Sequence, residues 1–206
     1  MDIYVNPSGI ESRSMEIITD ELKKMNISLT GDTAPVIKRC IHTTADFDYA
    51  RSLCFSNDAV NILKGLLKEG TCIVTDTNMA LAGINKTILG KFGGRAMCFM
   101  SDEDVIAEAR ARNITRAAVS MERAMRLDEP VIFVVGNAPT ALITLHEHML
   151  AGYRPAFVIG VPVGFVNVVA AKELILGSDA PYIVNAGRKG GSNVAAAILN
   201  AVLYLL

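Results

Sequence analysis

The stretch Val131-Ile132-Phe133-Val134-Val135-Gly136-Asn137-Ala138-Pro139-Thr140 decides the fold class of this chain. Its first five residues are apolar without alternation, which is typical of a strand buried on both faces of a parallel sheet. The Gly136–Pro139 segment that follows is typical of a turn leading into a helix, because proline is favoured in the first turn of a helix. The stretch therefore predicts a buried strand, a turn and a helix in succession.

Other apolar runs lie on both sides of this stretch, separated by helix-length segments: Cys72–Val74, Ala96–Met100, Ala156–Ile159 and Tyr182–Val184. Such runs predict an α/β fold with a mainly parallel central sheet covered by helices on both faces. Upstream, the spacing of apolar residues predicts helices near Ile10–Leu22, Pro35–His42 and Ala59–Lys68. Downstream, Val194–Leu206 is too short for a membrane span and predicts a buried terminal helix.

Composition limits the classes of function. The 206 residues contain no linker or low-complexity block, so we predict a single domain over residues 1–206. The net charge of −1 and the scattered basic residues argue against nucleic acid as a partner, and we expect no membrane partner. Because the segment Met1–Pro7 lacks the pattern of a secretion signal, we expect a cytoplasmic protein. The four cysteines lack paired spacing and are expected to be small core residues.

The segments that follow the apolar runs predict the binding face. They are small, polar or turn-forming: Asp76-Thr77-Asn78, Ser101-Asp102, Gly136–Pro139, Pro162-Val163-Gly164 and Gly187–Ser192. In a doubly wound sheet these segments meet outside the carboxyl ends of the strands, where ligands bind. Asn137 either contacts a ligand there or caps the helix that follows it.

The Gly187–Ser192 segment combines small residues with two cations ahead of the last helix. That combination favours carboxylate binding by Arg188, Lys189, Gly190 and Ser192, although a turn that merely caps the helix stays open. Its order matches neither a dinucleotide-binding GxGxxG loop nor a P-loop.

Three histidines are candidates for chemistry. His146 and His148 are two residues apart on a predicted helix, so they point in different directions, and we predict no metal site. His42 ends the second predicted helix, and Arg39 three residues earlier shares its face. An imidazole can both give and take a proton near neutral pH. The alternative is a histidine that bonds the last carbonyls of its helix.

Seven segments, in order along the chain, carry a resemblance to a known family: Ile10–Ser14, Arg39–Asp46, Asp76–Met79, Thr115–Ala118, Gly136–Leu142, Gly160–Val166 and Gly187–Ser192. In these segments the chain resembles the precorrin-8X methylmutases. The resemblance implies a homodimer of Rossmann-like subunits that acts on a corrin ring near the subunit boundary. It also implies migration of a methyl group from ring carbon eleven to carbon twelve in cobalamin biosynthesis, giving hydrogenobyrinate or cobyrinate.

The resemblance also implies roles for single residues. His42 falls on the catalytic histidine of the family, which is thought to protonate a nitrogen of the ring that bears the migrating methyl. By position in the motifs, we expect Ser14, Arg39, Thr43 and Arg116 to contact the substrate. The alternative for Arg116 is an ordinary solvated arginine.

An intramolecular shift needs no nucleophile, methyl donor or redox cofactor, so we expect no cofactor. Cobalt, if present, belongs to the substrate and is held by corrin nitrogens. The residues Thr43-Thr44-Ala45-Asp46 resemble those of enzymes that act on cobalt-precorrin-8, whereas some family members have a glycine before the aspartate. This favours the metallated substrate.

Two alternatives remain at this point. A nucleotide-dependent enzyme would need a glycine-rich loop after its first strand, and Thr71–Asn78 contains none. A tetrapyrrole-binding carrier would keep the cations but would not depend on the basicity of His42.

Overall fold

The computed structural model describes residues 9–206. The segment Met1–Pro7, on which the expected cytoplasmic location rests, lies outside the described residues. The helices are α1 (Ile10–Lys24), α2 (Thr33–Thr44), α3 (Tyr49–Ser52), α4 (Ala59–Lys68), α5 (Asn78–Gly83), α6 (Lys86–Lys91), α7 (Glu103–Arg112), α8 (Arg116–Met125), α9 (Pro139–Leu150), α10 (Val168–Leu176) and α11 (Ser192–Leu203). The strands are β1 (Leu53–Phe55), β2 (Cys72–Thr75), β3 (Ala96–Met97), β4 (Val131–Val135), β5 (Phe157–Gly160) and β6 (Tyr182–Asn185).

The strands form one sheet in the order β1-β6-β5-β4-β2-β3. All neighbours pair in parallel except β1, which pairs antiparallel with β6 at one edge. The carboxyl ends of the five parallel strands therefore lie along the same edge of the sheet. The predicted α/β fold with a mainly parallel sheet covered by helices is confirmed.

The two faces of the sheet contribute to different cores. Along β4, Ile132 and Val134 pack on the face covered by α1, α2, α4 and α11. Val131, Phe133 and Val135 pack on the opposite face, covered by α8, α9 and α10. All five side chains are buried, because both faces of a parallel sheet are covered by helices.

Two of the predicted elements, Ala59–Lys68 and Val131–Val135, have the bounds that the structure shows. The prediction of a strand over Ala96–Met100 is wrong in its length, because β3 ends at Met97 and the following Phe99 and Met100 pack against the second core instead. The antiparallel β1 was not predicted. Three residues are too few to produce a recognisable period.

Helix α11 confirms the predicted buried terminal helix. Ten of its residues are buried, and it packs against α2, α4 and α5 and against strands β4 and β5. Among residues 9–206, no helix combines the length and apolar character that would let it cross a membrane.

Candidate active site

A buried carboxylate, that of Asp76, organises the centre of the carboxyl edge. Asp76 directly follows β2 and has no exposed surface. Its Oδ1 accepts a hydrogen bond from the amide of Gly136 at 2.8 Å, and its Oδ2 accepts from the amides of Asn137 and Ala138 at 2.8 and 2.6 Å. Burial raises the pKa of Asp76, while the three amide donors act in the opposite direction by stabilising its charged form. The turn between β4 and α9 is thus fixed by the neighbouring strand.

The start of α11 is tied to the same centre. The hydroxyls of Ser192 and Thr77 lie 2.8 Å apart, and Thr77 also caps α5 by accepting a hydrogen bond from the amide of Ala80. A Cβ atom on Gly136 would lie 2.6 Å from the Cα of Ser192, so the close approach of this turn to α11 requires glycine. Ser192 is 9% exposed and its hydroxyl is engaged within the protein. Its position favours a supporting role over a direct contact.

The loop between β6 and α11, residues 187–191, is held against the end of β5. The amide of Gly191 donates to the carbonyl of Val161 at 2.9 Å. A Cβ atom on Gly190 would overlap the carbonyl oxygen of Val161, so this predicted site residue must be glycine for the loop to pack there. The amide of Gly164 donates to the carbonyl of Arg188 at 3.2 Å.

Lys189, a predicted cation of this loop, is engaged with two carboxylates. Its Nζ lies 2.6 Å from Oδ2 of Asp46 and 2.6 Å from Oδ2 of Asp48. These hydrogen bonds raise the pKa of Lys189, and the bond from Lys189 lowers the pKa of Asp46. The charge of Lys189 is therefore matched within the chain, which leaves Arg188 as the more available cation of the loop.

Two buried polar residues that the sequence analysis did not select support the loop. Lys172 of α10 donates to the carbonyls of Gly187 and Lys189. Asn185 donates from Nδ2 to the carbonyl of Lys189 at 2.9 Å, and its Oδ1 accepts from the hydroxyl of Ser52 at 2.7 Å. A lone lysine in the otherwise apolar first part of α10, Val-Val-Ala-Ala-Lys, was the sequence signal that could have identified this support.

His42 lies in the last turn of α2 and is half-buried. Its Nδ1 is buried and has no hydrogen-bond partner within the described part of the chain. Thr43 donates to the carbonyl of Arg39 at 2.9 Å and Thr44 donates to that of Cys40 at 2.8 Å, each one turn back along α2, whereas Nδ1 of His42 bonds no carbonyl of its helix. A histidine that merely bonds the end of its helix does not match this arrangement.

Arg39 and Thr43 lie on one face of α2 and line a small pocket of about 280 Å³ against α11. Asn193, the second residue of α11, and Tyr204 line it as well. Arg39 already has partners within the chain. Its Nη2 lies 2.6 Å from Oε1 of Glu11, and its guanidinium stacks 5.1 Å from the centre of the Tyr204 ring. Asn193 was not predicted as a site residue, although it follows the Gly187–Ser192 segment directly.

Ser14 lies on α1, three residues after Glu11 and four before the buried Ile18. Residues at these spacings share one face of a helix, so Ser14 is on the face that packs towards α2. It is half-buried. The structure thus places Ser14 near the helix that carries Arg39 and His42.

Arg116 and Asn137 lie towards the other side of the sheet. Arg116 is the first residue of α8, and its Nη1 donates to the carbonyl of Met100 at 3.2 Å. Thr115 caps that helix. Asn137 does not cap α9, because the capping position is occupied by Ala138; only the Asn137 backbone is engaged, with Asp76, and its side chain is exposed.

The predicted residues thus fall into two groups. The α2 residues and the β6–α11 loop are joined through the Lys189–Asp46 contact and through the packing of α2 on α11. Arg116 lines a separate pocket with Arg110 and Asn113. A single chain therefore presents cations on two neighbouring surfaces of the carboxyl edge rather than in one closed cavity.

The chain is similar to known proteins of one family. The family model described as precorrin-8X methylmutase matches residues 9–205. The chain is 45% identical to a cobalt-precorrin-8 methylmutase of Salmonella typhimurium, over all of this chain and 99% of the relative. It is 41% identical to a cobalt-precorrin-8 methylmutase of Priestia megaterium, over 98% of this chain and 90% of the relative.

A crystal structure gives the same result for the fold. The chain superposes on the precorrin-8x methyl mutase from Thermus thermophilus with a TM-score of 0.85 and 36% identity, and the match covers 96% of each chain.

Proposed function

This chain belongs to the precorrin-8X methylmutase family, and on that premise we propose that it is an isomerase of cobalamin biosynthesis. The reaction moves a methyl group from carbon eleven to carbon twelve of precorrin-8 or cobalt-precorrin-8, giving hydrogenobyrinate or cobyrinate. The match over residues 9–205 supports a single methylmutase domain. The names of the relatives favour an enzyme over a tetrapyrrole carrier.

His42 is the proposed proton donor and acceptor. The observation that carries this role is its buried Nδ1, which has no partner within the described residues. A buried polar atom without a partner destabilises the fold, and a catalytic role is one of the reasons for which such an atom is kept. Protonating a nitrogen of the corrin ring withdraws electrons from the adjoining conjugated system, which favours migration of the methyl group.

The proposed site residues other than His42 bind and orient the substrate. The corrin carries many acetate and propionate groups, so cations and backbone donors must be distributed around a flat disc. Arg39, Arg116 and Arg188 supply cations, Ser14, Thr43 and Asn137 supply neutral donors, and the 187–192 loop supplies amides. Holding the macrocycle in one conformation is itself a large part of catalysis of an intramolecular shift.

The metallated form is the proposed natural substrate. Thr43 and Thr44 follow His42, and the relatives from Salmonella typhimurium and Priestia megaterium are both named for cobalt-precorrin-8. The cobalt is part of the substrate, and no protein ligand is assigned to it.

A homodimer is also proposed. Phe165 and Val166 follow β5 at the carboxyl edge with 83% and 79% of their surface exposed, and Met79 after β2 is 71% exposed. All three follow strands at the same edge of the sheet, and exposed apolar side chains are typical of interaction surfaces when they form a patch. A second copy over this edge would complete a site that a single chain leaves open.

The decisive experiment mixes cobalt-precorrin-8 with wild-type protein, with His42→Ala and with His148→Ala, and follows the absorption spectrum. We expect conversion by wild type and by the His148 control, and binding by His42→Ala with a rate lower by about 10²- to 10⁴-fold. Binding without conversion by all three proteins would indicate a carrier. Conversion by His42→Ala at the wild-type rate would remove the proton role from His42.

The same assay with precorrin-8 tests the metallated preference. We expect kcat/KM to be higher for the cobalt form. Equal values for the two forms would contradict the preference without affecting the assignment of the reaction.

A further inference from the structure

Lys172 is a buried cation that pairs with no carboxylate in the described part of the chain. It lies on α10 with 1% of its surface exposed, and within residues 9–206 it forms no ion pair. Its Nζ donates to the carbonyl of Gly187 at 2.8 Å and to the carbonyl of Lys189 at 2.7 Å. Burial lowers the pKa of Lys172 to about 8. Removing an ammonium group from water costs free energy that an apolar residue of similar size would not cost. A functional role beneath this loop would explain why the lysine is kept.

The two hydrogen bonds fix how the loop above Lys172 presents its amides. In a trans peptide the carbonyl of one residue and the N–H of the next point in opposite directions. None of the described peptide bonds is cis. Because the carbonyls of Gly187 and Lys189 point at Nζ, the N–H groups of Arg188 and Gly190 point away from it.

Neither of these two N–H groups has a hydrogen-bond partner within the described residues. The peptide units around them are held in place, because the carbonyl of Lys189 also accepts from Asn185 and the carbonyl of Arg188 accepts from Gly164. Backbone N–H groups of a turn that are fixed in direction can bind an anion, so the N–H groups of Arg188 and Gly190 are candidate donors. Gly187, Arg188 and Lys189 are exposed and Gly190 is half-buried, so a ligand can reach this part of the loop.

We infer that Lys172 is a positioning residue that orients the amides of Arg188 and Gly190 to receive one carboxylate of the corrin. This inference rests on the proposed function. Lys172 acts through the loop and does not touch the substrate. Its positive charge behind the two peptide units also favours an anion in front of them, because a charge inside the protein is screened less than one at the surface.

The test uses the full-length protein with three substitutions. Lys172→Met removes the charge and both hydrogen bonds, and Lys172→Gln removes the charge but keeps a neutral donor group. Lys68→Met is the control, because it replaces an exposed lysine of α4 by the same residue. Affinity for cobyrinate is measured by absorption titration, turnover is measured with cobalt-precorrin-8, and ¹⁵N amide spectra are recorded with and without cobyrinate.

We expect Lys172→Met to weaken cobyrinate binding by about tenfold and to raise KM similarly, with kcat changed much less. Lys172→Gln should recover part of the affinity, and Lys68→Met should match wild type. In wild type the amide signals of Arg188 and Gly190 should shift when cobyrinate binds. A substitution that only loosened the fold would lower kcat and affinity together and would not be recovered by glutamine.

Unchanged affinity in a folded Lys172→Met, with wild type still converting substrate, would overturn the inference and leave the proposed function intact. If Lys172→Met fails to fold, the inference is tested by the cobyrinate affinity of Lys172→Gln and by the amide signals of wild type. Amide signals of Arg188 and Gly190 that do not shift when cobyrinate binds would overturn the inference. A wild type that neither binds cobyrinate nor converts substrate overturns the proposed function and the inference with it.

Discussion

Oδ2 of Asp46 lies 2.6 Å from Nζ of Lys189, 143 residues further along the chain. Asp46 follows the helix that carries His42, and Lys189 belongs to the loop that precedes α11. The contact therefore fixes the segment after the proposed proton donor against the proposed carboxylate-binding loop. Asp48 reinforces it at the same distance.

The contact between Asp46 and Lys189 should weaken in acid. Because Lys189 lowers the pKa of Asp46, the stability that this pair contributes is present above the unfolded value of 3.8 and is lost as pH falls through the lowered pKa. We expect wild type to exceed Asp46→Asn in free energy of unfolding at pH 7. Urea unfolding at decreasing pH measures the difference, and a difference that persists below the folded pKa would contradict this account.

Alkaline pH tests the burial of Lys172. Its pKa falls from 10.5 to about 8 on folding, so between these values the unfolded chain binds more protons than the native chain. The free energy of unfolding of wild type, relative to Lys172→Met, should therefore rise with pH across that window, by at most about 1.4 kcal/mol per pH unit. Denaturant titrations of both proteins from pH 7 to pH 10 provide the comparison. A flat difference would mean that Lys172 keeps its ordinary pKa.

Asp76→Asn should destabilise the protein by about 1–3 kcal/mol, because the side-chain amide offers one acceptor oxygen where three backbone amides need partners. Asp128→Asn makes the same change at an exposed position and should stay within about 0.5 kcal/mol of wild type. Urea unfolding measures both variants. Equal stability of the two would show that the β4–α9 turn does not depend on Asp76.

Two glycine substitutions should change stability in opposite directions. Gly190→Ala places a Cβ atom against the carbonyl of Val161, so we expect a loss of about 1–3 kcal/mol and weaker binding of cobyrinate. Gly65→Ala lies inside α4 with no atom within 4 Å of the added carbon and should gain about 0.5–1 kcal/mol. Thermal melting of both variants checks the pair. A stable Gly190→Ala that bound cobyrinate normally would show that the loop can move away from β5.

The sequence predicted most of the sheet because its strands are apolar on both faces and each ends in turn-forming residues. It could not predict β1, whose three residues are defined by pairing with β6 rather than by a period of their own. The edge strand β3 was overestimated because the apolar residues after Met97 pack as a loop.

The candidate site was predicted less completely. The motifs located His42 and the 187–192 loop, but the partners of Lys189 lie in a segment more than a hundred residues away and have no local signal. Asp76 was recognised as part of a strand-end motif, yet its role depends on three amides of the turn between β4 and α9. Lys172 is visible in the sequence as a charge in an apolar helix. Its role could not be predicted, because that role depends on the carbonyls of Gly187 and Lys189, which only the fold brings to it.

The packing of α2 on α11 has a consequence for synthesis on the ribosome. The helix that carries His42 is made well before its partner α11 (Ser192–Leu203), and β1 is likewise made well before β6, with which it pairs. The amino-terminal third therefore leaves the ribosome with an apolar face that nothing yet covers. The central strands can pair during translation before α11 has emerged, but the proposed active site assembles only after α11 is available.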